Sequence, residues 1–297
     1  MTTTTPTASR VMTPEEREQF ERDGFVIVRN VLTPDEVSYY AGALDRVYAE
    51  HEAQGKIAKD KSLHKLSAVA SCPELAGLID HPKAFPLVWS VIGWNIHIYH
   101  SHLDVHPPLS EPKPFRFEWH QDGGRQNREI ETDPRARLSV KLAFWLSDVS
   151  QPGRGNFKVV VGSHKTNRID GPPRRDLEWP DPEGAIEVCA NAGDAVFFDR
   201  RIWHARSNNY SELTRKVAFF GYTYRWIAQR DEAVAPDVAE RLTPMQRQLV
   251  GALEEGRVHD AVEGGDHAWG HFPEEVPVYR HLRDNSLLDP SYPPLIP

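Results

Sequence analysis

Sulfur chemistry is nearly missing from this chain. Its 297 residues include 2 cysteines, Cys72 and Cys189, and 3 methionines. Two cysteines cannot form a disulfide framework, so a stapled secreted scaffold is excluded and two reduced thiols in a cytoplasmic protein are expected. There is no long apolar run, which excludes a transmembrane helix. The opening Met1-Thr2-Thr3-Thr4-Thr5-Pro6 lacks the apolar stretch of a secretory signal. Positive charge is not in excess either. The net charge is −8 and the pI about 6.0, so neither nucleic acid nor a membrane is expected as a partner. Proline, by contrast, is plentiful at 24 residues, and this suits a loop-rich β fold more than a helical one. A hydrophobic content of 39% is enough to bury a sizeable core in one large domain or two small ones.

Local signals then divide the chain. Residues 1–12 carry no structural pattern and are expected to be disordered. Thr13-Pro14-Glu15-Glu16 combines an N-cap, a first-turn proline and a capping-box glutamate, so a helix should start there and end at Gly24. Thr33-Pro34-Asp35-Glu36 repeats the signal, for a second helix to about Gln54. Between them, Phe25-Val26-Ile27-Val28 reads as a strand. Residues 55–90 mix short helices and loops, with Lys65 placed in a charged helix. Strands are expected from Asn95 to Val105, Phe117 to Asp122, Leu138 to Leu146, Phe157 to Val161, Ala195 to Phe198 and Val217 to Tyr224. Residues 165–184 form a long irregular loop of the kind that covers sites. The tail holds one helix near Pro244–Leu253 and then coil. Short strands separated by turns, with helices mainly at the front, point to one double-sheet β barrel with helical support.

Two separated signals carry the chemistry. One is Trp119-His120-Gln121-Asp122-Gly123, and the other is Trp203-His204 with Arg215 eleven residues later. A His and a carboxylate two apart on a strand point the same way. A second His from a distant strand would complete a 2-His-1-carboxylate set, which suits non-haem Fe(II) and leaves positions open for O2 and a co-substrate. Arg215 could then grip the far carboxylate of a 2-oxo acid bidentately. The parity of Arg215 with Val217 and Phe219 puts it on the inward face if those residues point in. His-x-Asp alone is a weak signal, and His102-Leu103-Asp104 is a rival. His164 is a further tempting ligand, and a bland reading of each residue as core histidine or surface charge stays open.

Several blocks in order make the chain resemble the phytanoyl-CoA dioxygenase-like family of the Fe(II)/2-oxoglutarate oxygenases. They are Phe20 through Leu32, Trp119-His120-Gln121-Asp122, Gly155 through Lys165, Gly193 through Phe198, and Trp203-His204. The resemblance covers about residues 13–226. It implies a mainly β, double-stranded β-helix (jelly-roll, cupin-like) core with flanking helices, and residues 227–297 as a helical and coil extension packing on the same domain. It also implies His120, Asp122 and His204 as iron ligands and Arg215 as partner of the 2-oxoglutarate C5 carboxylate. His100 and Lys65 are implied near the co-substrate, and Phe144 is expected to pack on it. Where the family often has a small hydroxyl residue two positions after the distal His, this chain has Arg206.

The implied reaction oxidises a small-molecule C–H bond while 2-oxoglutarate and O2 become succinate and CO2. Family halogenases commonly lose the carboxylate ligand, so Asp122 favours hydroxylation. Arg125, Gln126 and Trp179 are expected to contact substrate, whose identity the sequence leaves open. A monomer and a homodimer are equally compatible with it. Two other classes remain: a cupin-like metalloenzyme that uses no oxo acid, and a non-catalytic jelly-roll binding protein.

Overall fold

The computed structural model describes residues 10–109, 119–124, 126–169, 181–253 and 276–288. Both capping boxes form. Helix α1 (Pro14–Asp23) is capped by Thr13 and Glu16 and ends on Gly24 at φ 86, a left-handed value that glycine adopts without strain. Strand β1 (Phe25–Val28) follows, then α2 (Pro34–Ala53), capped by Thr33 and Glu36. Next come β2 (Leu63–Leu66), the short helices α3 (Ala68–Ser71) and α4 (Ala76–Ile79), and α5 (Phe85–Ile92). The barrel strands begin with β3 (Ile96–His106). After helix α6 (Gln126–Glu129) come β4 (Ser139–Trp145), β5 (Phe157–Val160), β6 (Ala185–Val188), β7 (Ala195–Asp199), β8 (His204–Arg206) and β9 (Arg215–Tyr224). Helices α7 (Pro236–Arg241), α8 (Pro244–Leu249) and α9 (Pro277–Asp284) close the described chain.

Among the described residues these strands form two antiparallel sheets, ordered β1-β7-β4-β9-β3-β2 and β6-β5-β8. Strand alternation decides what each face of the large sheet touches. Ala143, Trp145, Phe198, Val217 and Phe219 point toward the small sheet and pack with Phe157 and Val159. Leu142, Phe144, Phe197, Phe220 and Tyr222 point the other way, onto Phe20, Leu44, Phe85 and Leu249 of the helices. Both faces are therefore covered, which is why every residue of β4 is buried. This is the jelly-roll core expected from the sequence.

The structure corrects several local expectations. Residues 10–12 are not disordered: Met12 is buried and its N–H donates to Ser90 Oγ at 2.9 Å. Lys65 lies in strand β2, not in a helix. Four residues without a β-branched side chain carry no strand signal of their own, and pairing with β3 makes the strand. Asp122 stands in a turn just past the backbone bridge at His120, so the His-x-Asp pair straddles a strand end. Helix α9 was hidden in a segment read as coil. Pro277 at its start and Val278 and Leu282 on one face were the available signals, and both apolar residues enter the helix-side core.

Phe20 anchors α1 to the large sheet. Its side chain has no solvent exposure, and its ring lies 4.8 Å from that of Phe197. Truncation of Phe20 to Ala should cost about 3–5 kcal/mol of unfolding free energy. A denaturant titration showing a loss under about 1 kcal/mol would mean that α1 is not integral to this core.

Candidate metal centre and its cavity

Backbone pairing brings the two motifs together. The His120 N–H donates to the His204 carbonyl at 3.0 Å, and the His204 N–H donates back to His120 at 2.9 Å. This antiparallel bridge extends the small sheet beyond β8 and places the two imidazoles side by side, with ring centroids 4.3 Å apart. Asp122 follows in the turn. His120 Nε2 is 3.9 Å from Asp122 Oδ1, and His204 Nε2 is 3.7 Å from Asp122 Oδ2. One ligand atom from each of the three lies within 4.8 Å of the others. His204 Nδ1 sits 2.9 Å from the Ile202 carbonyl. A carbonyl only accepts, so the proton belongs on Nδ1 and the Nε2 lone pair is left facing the cluster.

The turn itself is held by a buried arginine. Arg200 Nη1 donates to the Asp122 carbonyl at 3.1 Å and to Asn127 Oδ1 at 3.2 Å, while Nη2 reaches the Ala136 carbonyl at 3.3 Å. A Cβ at Gly123, whose φ is 119, would run into that same guanidinium, so glycine is required beside the ligand. His204 is walled by the rings of Phe157 and Phe198, at 5.3 and 5.6 Å.

Sequence reasoning missed Lys141. Its Nζ lies 2.8 Å from Asp122 Oδ2, and its side chain is only 5% exposed. Burial alone would raise the Asp122 pKa, but Lys141 first, and then His204 and His120, hold it well below the usual carboxylate range. Burial likewise opposes the charge on Lys141, and Asp122 restores it, leaving its pKa raised. Burial, and then the neighbouring His120, push His204 down to about 3. A lysine in Ser139-Val140-Lys141-Leu142 reads as a solvent-facing residue. The only contrary signal was that both faces of this strand must be buried.

The cluster opens into a cavity of about 560 Å³ that is also lined by His100, His102, Asp104, His106, Arg206 and Arg215. Arg215 is buried on β9, over the Trp145 ring at 5.0 Å. Gly155 backs it, where a Cβ would meet Arg215 Cδ at 2.6 Å. The inward parity assigned to Arg215 therefore holds. Its Nη1 donates to Asp104 Oδ2 at 3.3 Å, while its buried Nε has no hydrogen-bond partner.

His100 lines the cavity, and burial, then Lys141, push it down to about 4. Phe144 and Lys65, also expected near the co-substrate, are not among the residues lining this cavity. Phe144 points to the helix side, against Phe220 and His81, because its strand parity is opposite to that of Lys141. Lys65 stands opposite Leu103, whereas its neighbour His64 stands opposite Asp104 and lines the cavity. Gln126 is not a cavity residue but lies 3.4 Å from Arg200 Nη1. Arg125 and Trp179 lie outside the described residues. His164 packs under Gly24 with Nε2 3.2 Å from the Glu21 carbonyl, a structural position.

Residues 20–217 match the model of the family described as phytanoyl-CoA dioxygenase (PhyH). The chain belongs to that family. It is similar to an ectoine dioxygenase of Nocardia farcinica, 24% identical over 72% of this chain and 78% of the relative. A second, from Streptomyces coelicolor, is 23% identical over 84% of this chain and 88% of the relative. Solved structures share the fold. HygX from Streptomyces hygroscopicus, with nickel and 2-oxoglutarate bound, is 20% identical and covers 77% of this chain and 94% of its own at a TM-score of 0.57. The carbocyclase SnoK from nogalamycin biosynthesis is 24% identical and covers 74% and 87% at 0.55.

The Lys141–Asp122 pair generates a prediction. Substituting Lys141 with Met should destabilise the metal-free protein by about 3–5 kcal/mol, because a buried carboxylate loses its partner. Saturating Co(II) should recover much of the loss by taking over that charge. Thermal melts with and without metal check this, and an equal loss in both states would refute it.

Proposed function

We propose that this chain is a non-haem Fe(II)/2-oxoglutarate-dependent oxygenase that hydroxylates a C–H bond of a small molecule. The observation that carries this reading is the convergence of His120, Asp122 and His204 on a cavity whose wall also presents Arg215. The donor set fits the metal: two imidazole nitrogens and one carboxylate suit a borderline divalent ion and leave part of its coordination open. When bound, Fe(II) supplies O2 activation coupled to oxidation of the oxo acid.

The residues then divide the work. His120 and His204 present ring nitrogens, and Asp122 provides the one negative ligand. Lys141 holds Asp122 ionised. Arg215 is the cation of the cavity wall for the far carboxylate, with Trp145 and Gly155 fixing its direction. His100 lines the cavity at the level of Lys141, and Phe157, Phe198 and Phe219 keep one side of it apolar. The cavity is of ordinary ligand size and must hold both the oxo acid and the substrate, so the substrate is small. Compounds of the size of ectoine are suitable first candidates. Residues 227–297 are read as an extension of the same domain, since Leu249, Val278 and Leu282 enter its core. Among the described residues no helix is long and apolar enough to cross a membrane, and a cytoplasmic location goes with this reading.

One observation favours a second reading, a cupin-like metalloenzyme without an oxo acid: Arg215 already has Asp104 as a counter-ion. Anaerobic titration of metal-stripped protein with Fe(II) and then 2-oxoglutarate separates the two. A weak visible charge-transfer band should need both additions and vanish in the Asp122→Ala and Arg215→Ala proteins. Folded, iron-loaded protein without the band would move the assignment to the second reading.

A further inference from the structure

The rival motif His102-Leu103-Asp104 does not lapse once the first cluster is assigned. Strand β2 brings His64 directly opposite Asp104, and His64 Nδ1 lies 2.7 Å from Asp104 Oδ1. His102 is two residues before Asp104 on β3, on the same face, with Nε2 4.0 Å from Asp104 Oδ2. One ligand atom from each of His64, His102 and Asp104 lies within 4.8 Å of the others, as compact as the first cluster. His106 lies alongside, with Nε2 3.7 Å from Asp104 Oδ2 and hydrogen-bonded to Arg206 Nη1. All four line the same cavity as His120, Asp122 and His204.

We propose that His64, His102 and Asp104 form a second binding site for a borderline divalent cation such as Zn(II), Co(II) or Ni(II). Three features support a ligand role over a plain hydrogen-bond network. His102 is locked by stacking on Phe219, with ring centroids 4.6 Å apart and planes 20° apart, so its Nε2 is held on the Asp104 side of the cavity. Asp104 is already oriented from behind: Arg215 holds Oδ2, so Oδ1 is turned toward His64. Carboxylates that ligate a metal are commonly fixed by a hydrogen bond of this kind. The chemistry also discriminates between ions. Two imidazoles and one carboxylate suit the borderline metals, whereas Ca(II) and Mg(II) want oxygen ligands. Ligand bonds of about 2.0–2.1 Å need His64 Nδ1 and Asp104 Oδ1, in contact at 2.7 Å, to open slightly around the ion. His64, with its side chain 55% exposed, is free to make that movement.

The site has a consequence for its neighbour. A cation bound to Asp104 gives that carboxylate a second counter-charge and weakens its claim on Arg215 Nη1. The guanidinium is then freer to take an external carboxylate. Occupancy of the second site and anion binding at Arg215 are thereby linked, each favouring the other.

Metal stoichiometry tests the proposal without any turnover assay. Metal-stripped protein is dialysed anaerobically against Co(II), bound metal is counted by elemental analysis, and visible absorption is followed. The wild-type chain should bind two equivalents. His120→Ala/His204→Ala should keep one, and His64→Ala/His102→Ala should keep the other. A wild type that binds one equivalent, lost in His120→Ala/His204→Ala, would overturn the second site and leave the proposed oxygenase centre standing. A second equivalent that survives in His64→Ala/His102→Ala would also overturn it. A single equivalent that is lost only in His64→Ala/His102→Ala would support this site and remove the other. Should that double variant fail to fold, His64→Gln at its half-exposed position should weaken the second equivalent at least tenfold and spare the first. Unchanged affinity there would count against the site.

Discussion

The structure depends on one pair of reciprocal backbone hydrogen bonds, between His120 and His204. Neither residue belongs to a long strand. His204 starts the three-residue β8, and His120 sits at an isolated bridge. Each N–H satisfies the other's carbonyl, and in a partly buried position an unmade bond would be expensive. That exchange sets the spacing of the two imidazoles and therefore the position of any ion between them. Arg200 adds the third member by holding the Asp122 carbonyl, and Gly123 leaves room for the guanidinium. The metal centre is thus built from main-chain bonding first and side-chain choice second.

Electrostatics then shape the cavity around it. Two buried carboxylates face it, and each has a buried cation: Asp122 with Lys141, and Asp104 with Arg215. Removing charges from water is costly, and such pairs seldom add net stability over apolar packing. Inside a wall of phenylalanine and histidine, Lys141 foremost offsets the burial of Asp122, while for Asp104 His102 and His64 act ahead of Arg215. The histidines respond in the opposite direction. Burial lowers His100, His102 and His204, so they stand as neutral nitrogen donors. A cavity that combines ionised carboxylates with imidazole nitrogens is matched to divalent cations, whichever cluster takes them.

Much of the fold was legible in the residues. Thr13-Pro14-Glu15-Glu16 and Thr33-Pro34-Asp35-Glu36 state their helices through side chains three residues apart, and both caps form. The apolar runs of β1, β4, β7 and β9 were equally plain. The misses share a cause. Strand β2, His64 and Lys141 have meaning only through partners far away in the chain. Lys141 looks like a surface lysine until the strand is seen to be covered on both faces. Phe144 was assigned to the cavity because its own face was not yet known, and a shift of one residue along a strand reverses the side.

By itself the sequence determined the vocabulary of the protein. Alternation made the strands, caps made the helices, and the ligand types for a divalent metal were present in two His-x-Asp motifs. Only the tertiary structure decided which of those motifs meets a distant histidine on the small sheet, which meets His64 across β2, and that Arg215 reaches the cavity already leaning on Asp104. Local spacing controls the direction of a side chain from its own backbone. Which groups converge is set by strand pairing and sheet packing, and these depend on contacts between segments that no short window of sequence contains.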